Sequence, residues 1–168
     1  MRAVNVGGHQ RFSVAQLARD LADYDVVNIG AAGTFAVRAN VSAAAFRKAL
    51  EAALPFDVET MICPAAEIRR LAATGVFAAP VADGVQRMLT ILASRPKVSL
   101  PAGLRHPDGE RWESQVVASS GRYICVLTRR LGTQPVNSNL LLEKRLGTSG
   151  TTRNWNTIVR VLKALETQ

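Results

Sequence analysis

The strongest constraint on the fold is the order of strand-like and helix-like segments over the first 63 residues. Four short runs are rich in β-branched side chains, which fit the pleated surface of a strand. They lie at 2–6, 25–29, 34–39 and 57–63. Segments with helical periodicity separate the first run from the second and the third run from the fourth. The second and third runs, joined only by Gly-Ala-Ala-Gly, predict a hairpin.

Both intervening helices carry start signals. Ser13 precedes the first apolar-periodic segment and Gln16 follows three residues later, which is the pattern of a capping box. Ser42 is placed to cap the second helix, which runs to Leu54, where Pro55 ends it. Each helix therefore has a predicted beginning that is independent of its apolar periodicity.

The resulting order, β-α-β-β-α-β, is that of ferredoxin-like folds. It predicts two helices packed on one face of a four-stranded antiparallel sheet. A further helix follows at 65–74 and is stopped by Gly75, and 78–84 has the composition of a linker. We therefore expect a ferredoxin-like subdomain at 1–80.

The second half predicts a different α+β arrangement. A strand at 85–93 is followed by a long loop at 95–112, where three prolines and two glycines leave room for at most a short strand. Ser120-Gly121-Arg122 joins two further strands in a hairpin. Helices are expected at 137–147 and 154–166. These elements make up an expected basic subdomain at 81–168.

Charge is distributed unevenly between the halves. The net charge is +8, yet residues 1–84 hold eight Lys/Arg and eight Asp/Glu, while residues 85–168 hold thirteen and five. Such asymmetry favours a surface that attracts polyanions. A simpler alternative stays open, because Arg outnumbers Lys 17 to 4 and an arginine-rich proteome places Arg at ordinary solvated positions.

Cysteine and histidine usage predicts no metal site and no cofactor. Cys63 and Cys125 form no Cys-x-x-Cys pair, and we expect two free thiols in a reducing cytosol. His9 and His106 have no metal ligand at suitable spacing on their own elements. The N-terminus lacks the apolar segment of a signal peptide, and no apolar run approaches the roughly 20 residues of a membrane span. A cytoplasmic protein without a membrane partner is expected.

Two segments together resemble one bacterial family. The segment 2–8, RAVNVGG, resembles Arg-Gly-Ile-Asn-Val-Gly-Gly, and 143–162, EKRLGTSGTTRNWNTIVRVL, resembles the Thr-Thr-Arg-Asn-Trp-Asn-Thr ending of the same group. That group is the domain-of-unknown-function family numbered 1697, and the resemblance spans nearly the whole chain. It implies an α+β protein with a ferredoxin-like half, and it implies no activity.

The chain departs from the family pattern at three places. Family members carry apolar residues before the first motif, so a first strand that is short at its N-terminal end is expected here. The Ser-Gly-Asn of the family hairpin is replaced at 32–34 by Ala-Gly-Thr, and a Ser-Lys-Leu is replaced at 138–140 by Ser-Asn-Leu. If those polar positions form a ligand site in the family, that site is weaker in this chain.

The segment TTRNWNT, 151–157, is the first candidate site. Thr and Asn at its start suit a helix cap, and Trp155 is expected to anchor the last helix in the core rather than to stack on a base. Arg153 at a helix N-terminus would oppose the helix dipole, so we expect it to contact a carboxylate or an anionic ligand. Arg153 and Asn154, with Asn5 beside the Gly7-Gly8 turn, are the predicted ligand-binding residues.

The predicted polyanion-binding residues are Arg129, Arg130, Lys144 and Arg145. No catalytic motif is present, so catalytic residues stay unknown. The favoured hypothesis is a binding module for nucleic acid or another polyanion. An enzyme or binder acting on a small anionic metabolite between the two halves is the first alternative, and a structural domain that forms a homodimer through an open sheet edge is the second. RNA binding by the first sheet is disfavoured, because its predicted third strand has one aromatic residue and its first has none.

Overall fold

The computed structural model describes residues 1–2, 13–131 and 138–166, and for 138–141 the backbone alone. Over these ranges the chain is a mixed α+β protein with five α-helices and two antiparallel sheets. The predicted first strand, with Asn5 and the Gly7-Gly8 turn, lies outside the described residues. The helices of these ranges are too short or too polar to cross a membrane.

The chain divides into two compact units. The first comprises Met1–Arg69 with Asn156–Gln168, and the second comprises Arg70–Trp155. In this division 70–80 group with the second unit, and most of the last helix groups with the first. The expected subdomains at 1–80 and 81–168 stay a prediction.

The first unit contains the helices and the hairpin that the sequence predicts. Its elements are α1 (Val14–Asp20), a 3₁₀ turn (Ala22–Tyr24), β1 (Val26–Gly30), β2 (Thr34–Val37), α2 (Ala43–Ala53) and most of α3 (Ala65–Ala73). The strands β1 and β2 pair antiparallel, with Val26 opposite Val37. Leu17, Leu21, Phe46 and Leu50 form its buried core, and the ring of Tyr24 meets that of Phe46 edge-on at 5.5 Å.

Both predicted helix caps are confirmed. The Ser13 hydroxyl accepts from the Gln16 backbone N–H at 3.1 Å, and the Ser42 hydroxyl accepts from that of Ala45 at 3.1 Å. The side chain of Gln16 does not complete a capping box in the expected way. It donates instead to Asp20 at 2.6 Å and accepts from Arg19, both within its own helix.

The predicted fourth strand is not confirmed. Residues 57–63 follow Pro55 without regular structure, although their apolar alternation is that of a strand. A strand exists only where a neighbouring chain completes its hydrogen-bond ladder. In this stretch the Glu59 carbonyl accepts a hydrogen bond at 2.9 Å from the backbone N–H of Arg2. Arg2 is the last residue described before the gap at 3–12.

The second unit is built on a five-stranded sheet of order β4-β5-β6-β3-β7. Its elements are β3 (Val85–Leu92), β4 (Arg105–His106), β5 (Ser114–Ser120), β6 (Tyr123–Arg129), α4 (Ser138–Leu146) and β7 (Gly150–Asn154), after which α5 (Trp155–Glu166) begins. Every pairing is antiparallel. The predicted strand at 85–93, the hairpin and both helices are confirmed, and the long loop contains only the two-residue β4.

The strand β7 is a correction to the sequence interpretation. The sequence predicts Thr151, Thr152 and Asn154 as helix-cap residues, whereas all three pair with β3 and the helix begins at Trp155. The pairing places Thr152 opposite Thr90, and the two hydroxyls lie 2.6 Å apart. A cross-strand hydrogen bond of this kind offsets the weak strand propensity of a polar segment, and a single sequence does not display it.

One face of this sheet carries the core of the second unit. Leu92, Val116, Ile124 and Val126 point to that face, as their alternating positions in the paired strands require. Leu142 and Leu146 of α4 pack against them, and so does Leu100 from the long loop. The loop between β3 and β4 is therefore fixed to the core at its middle.

Candidate functional site

The second unit holds nearly all of the excess charge. Residues 70–155 contain twelve Lys/Arg and five Asp/Glu, a net charge of +7 out of the +8 of the whole chain. The ion pairs Arg2–Glu59, Arg38–Asp25 and Arg47–Glu51 all lie in the first unit. The location of the acidic residues on the sheet decides where the positive charge of the second unit is left uncompensated.

Four of the five acidic residues lie at one end of the sheet, where β3 begins. Asp83 comes two residues before β3, and Asp108, Glu110 and Glu113 lie between β4 and β5. Five basic residues occupy the same end, namely Arg87, Arg105, Arg111, Arg129 and Arg130. We call this the balanced end, because its formal charge is only +1.

Arg129 has a structural role at the balanced end. Its Nε donates to the Trp112 carbonyl at 2.6 Å and its Nη2 donates to the Glu110 carbonyl. Its guanidinium carbon lies 4.3 Å from the centre of the Trp112 ring, and that of Arg105 lies 5.8 Å from the same ring. These contacts hold the loop before β5 against the end of β6, so Arg129 is already engaged within the protein.

The opposite end of the sheet, where β3 ends, is strongly positive. It carries five basic residues, Arg95, Lys97, Arg122, Lys144 and Arg145, which we call the cationic end. All are exposed except Arg122, which is half-buried with its guanidinium 5.7 Å from the Tyr123 ring. The one acidic residue there is Glu143, whose Oε1 accepts from the Gly150 N–H at 2.9 Å.

Backbone hydrogen bonds bring the segments of the cationic end together. The Leu92 N–H donates to the Arg122 carbonyl and the Ala93 N–H to the Ser149 carbonyl, each at 2.9 Å. The hydroxyls of Ser94 and Thr148 lie 3.0 Å apart. Three segments distant in sequence therefore converge here: the start of the long loop, the turn between β5 and β6, and the end of α4.

The end of α4 itself follows the sequence prediction. Gly147 has φ 64° and its N–H donates to the Glu143 carbonyl at 2.8 Å, which is the left-handed helix ending that glycine favours. Lys144 and Arg145 lie in the last turn, where cations interact favourably with the helix dipole. The two side chains are exposed beside that dipole end.

The four predicted polyanion-binding residues are divided between the two ends. Arg129 and Arg130 lie at the balanced end, whereas Lys144 and Arg145 lie at the cationic end. The eight residues of β3 separate these ends, a span of roughly 25 Å at the usual rise of a strand. The sequence interpretation overlooked Arg95 and Lys97, although no acidic residue occurs between Asp83 and Asp108 or between Glu113 and Glu143.

The segment around Arg153 differs from its expected setting. Arg153 lies in β7 opposite Leu89, so it is not at a helix N-terminus, and Asn154 is the last residue of the strand. The Arg153 Nη1 donates to the Thr151 hydroxyl at 2.7 Å and to the Thr152 carbonyl at 2.8 Å. Burial lowers the pKa of the Arg153 guanidinium. Trp155 is half-buried and its ring meets that of Phe77 edge-on at 5.0 Å, which suits an anchor.

The cysteines are free thiols in different surroundings. Cys63 is half-buried, while Cys125 is 1 % exposed in β6, and burial raises the pKa of its thiol to about 12. A thiol with so high a pKa is a poor nucleophile. Within the described ranges no three His, Cys, Asp or Glu side chains are grouped as metal ligands.

Comparison with known proteins finds no family model that matches the chain, and no curated protein or solved structure with significant similarity to it.

Proposed function

We propose that the second unit binds nucleic acid, or another polyanion of regular charge spacing, through the cationic end of its sheet. The observation that carries the proposal is the segregation of charge along β3. Four acidic residues offset four of the five basic residues of the balanced end, and the single acidic residue of the opposite end is bonded to a backbone N–H. Uncompensated exposed cations raise the local concentration of a polyanion and favour its binding.

The strength of this interaction depends on salt in a way that the structure allows to be estimated. Arg95, Lys97, Lys144 and Arg145 are exposed, so about four phosphate contacts are available. Each neutralised phosphate contributes about −0.9 to the slope of log K against log salt, giving about −3.6 in total. Between about 50 and about 200 mM salt the affinity for a duplex should then fall roughly 150-fold.

Among the described residues the cationic end has no exposed aromatic ring, which favours contacts to the backbone of the nucleic acid. Binding to single strands relies on exposed aromatic rings on which successive bases stack. The aromatic residue at the cationic end, Tyr123, is 6 % exposed. We therefore expect the second unit to bind duplexes mainly through phosphate contacts.

A pair of matched double variants tests the location. In Lys144→Ala/Arg145→Ala two exposed cations are removed from the cationic end, and in Arg111→Ala/Arg130→Ala two exposed cations are removed from the balanced end. Both variants have the same net charge. Fluorescence anisotropy with a labelled duplex should give a salt slope of about −1.8 for the first variant and about −3.6 for the second. Equal slopes in the two variants would contradict the proposed location.

The first unit is proposed to have the ferredoxin-like order, as the resemblance to the family numbered 1697 implies. Two hydrogen bonds support this order. The Met1 amino group donates to the Gly33 carbonyl at 3.1 Å and the Arg2 N–H to the Glu59 carbonyl at 2.9 Å. Residues 1 and 2 thus lie between the hairpin and the segment 57–63, the place of the first strand in that order. Nuclear Overhauser contacts from residues 3–6 to only one of these neighbours would contradict it.

A further inference from the structure

The loop that leaves β3 at the cationic end is held at both of its ends. On one side the Ser94 hydroxyl bonds that of Thr148 at 3.0 Å, and on the other side Leu100 is 8 % exposed in the core. Residues 95–99, which we call the tip loop, project between these two anchors. Pro96 restricts the backbone further. Because the tip loop is short and anchored at both ends, little conformational entropy is lost when it binds a ligand.

The tip loop combines cations with an exposed apolar side chain. Arg95, Lys97 and Ser99 are exposed and Pro96 is half-buried. Val98 is 63 % exposed, against 49 % for Val159 and 43 % for Leu131, the other exposed large hydrophobic residues described. Solvated cations account for attraction to phosphates, but they leave the exposure of Val98 beside them unexplained.

We propose that the tip loop enters the minor groove of duplex DNA, with Arg95 and Lys97 along the groove and Val98 against the sugars and base edges. This inference rests on the proposed function and names its ligand. The minor groove of B-DNA is about 6 Å wide, which suits a narrow loop rather than a helix. Its negative potential is strongest where A·T tracts narrow it, and proteins that bind there combine Arg or Lys with apolar side chains.

Charge and shape favour this ligand over two others. The minor groove of duplex RNA is wide and shallow, so it would not enclose the five-residue tip loop. Insertion into a lipid surface needs a broad apolar face, and the tip loop offers only Val98 and part of Pro96. In duplex DNA the remaining basic residues of the cationic end, Lys144 and Arg145 among them, are available to the phosphates that flank the groove.

The test uses the full chain and two duplexes of equal length, one A·T-rich and one G·C-rich. We expect tighter binding to the A·T-rich duplex and displacement from it by netropsin, a small cation that fills the minor groove of A·T tracts. The variant Val98→Ser should weaken binding to that duplex about fivefold, since an apolar contact of one small side chain is lost. Val159→Ser, which changes the other exposed valine, in α5, is the matched control and should bind as the parent does.

The outcomes separate this inference from the function on which it rests. If netropsin does not displace the protein and Val98→Ser binds like Val159→Ser, the minor-groove inference is overturned. The proposed function still stands in that case if the salt slope is steep and Lys144→Ala/Arg145→Ala reduces it. If no duplex binds at about 50 mM salt, both are overturned. A third outcome would assign the tip loop to a lipid surface instead. In it the protein binds anionic vesicles, Val98→Ser abolishes that binding, and netropsin does not displace the protein from DNA.

Discussion

The substitution Gly150→Ala tests the pairing of β7 with β3, which closes the sheet beside the cationic end. A methyl group at residue 150 would lie 3.2 Å from Leu92 Cδ2, 3.3 Å from the Ile91 carbonyl oxygen and 3.3 Å from Thr90 Cγ2. All three distances are shorter than ordinary van der Waals contacts. The Ile91 oxygen belongs to the backbone of β3 and cannot move without disturbing the ladder, so part of the strain cannot be relieved by side-chain rotation.

Two opposing effects set the magnitude for Gly150→Ala. Replacing glycine restricts the unfolded chain and contributes about 0.4–1 kcal/mol of stability. Overpacking in a well-packed region costs about 1–3 kcal/mol. We expect a net loss of about 1–2 kcal/mol, measured as a lower midpoint of urea unfolding with an unchanged slope.

A double-variant cycle identifies the cause of the loss. Leu92→Ala removes the closest of the three contacting atoms, so Gly150→Ala should cost less in the Leu92→Ala background than in the parent. If Gly150→Ala is as stable as the parent or more stable, β7 does not approach β3 as described, and the convergence of segments at the cationic end loses its support.

Three further changes have expected outcomes. Ser42→Ala should lower stability by about 1 kcal/mol in urea unfolding, because the Ala45 N–H loses its acceptor; an unchanged midpoint would contradict the cap. Trp155→Ala should cost about 2–3 kcal/mol, below the range for fully buried rings, and Trp155→Phe less, since an edge contact to Phe77 can persist; equal losses would contradict this. Burial raises the pKa of Cys125 in the folded state from its ordinary value of 9.0 to about 12. The buried neutral thiol therefore stabilises the folded state fully below pH 9.0, and this stabilisation is lost as the pH rises towards about 12. Urea unfolding should show the parent losing about 1.4 kcal/mol per pH unit more than Cys125→Ala in that range, and parallel pH profiles would contradict this.

Local signals predicted the helices and the hairpins well. Ser13 and Ser42 each carry their start signal within four residues, and Gly147 marks a helix end by its own conformational freedom. These features depend on neighbours in sequence, so a single chain displays them. The turn Ser120-Gly121-Arg122 is of the same kind, with Gly121 at φ 58°.

Features that depend on distant partners were not predictable in the same way. The segment 150–154 becomes a strand because β3 supplies its ladder. The location of the candidate site also depended on residues distant in sequence. The excess charge was evident from composition, but the separation of Arg129 from Lys144 along β3 required the strand order. Arg153 was assigned to a helix N-terminus for the same reason, because the strand that contains it was not expected.

The most direct test of the central claim is a titration of the isotopically labelled full chain with duplex DNA, followed by ¹H–¹⁵N correlation spectra. If the cationic end binds the duplex, the largest shift changes should map to residues 95–99, 121–122 and 144–149, and they should diminish as salt is raised. Residues 105–113 at the balanced end should change little. Largest changes at 105–113, or changes spread evenly over both units, would contradict the account.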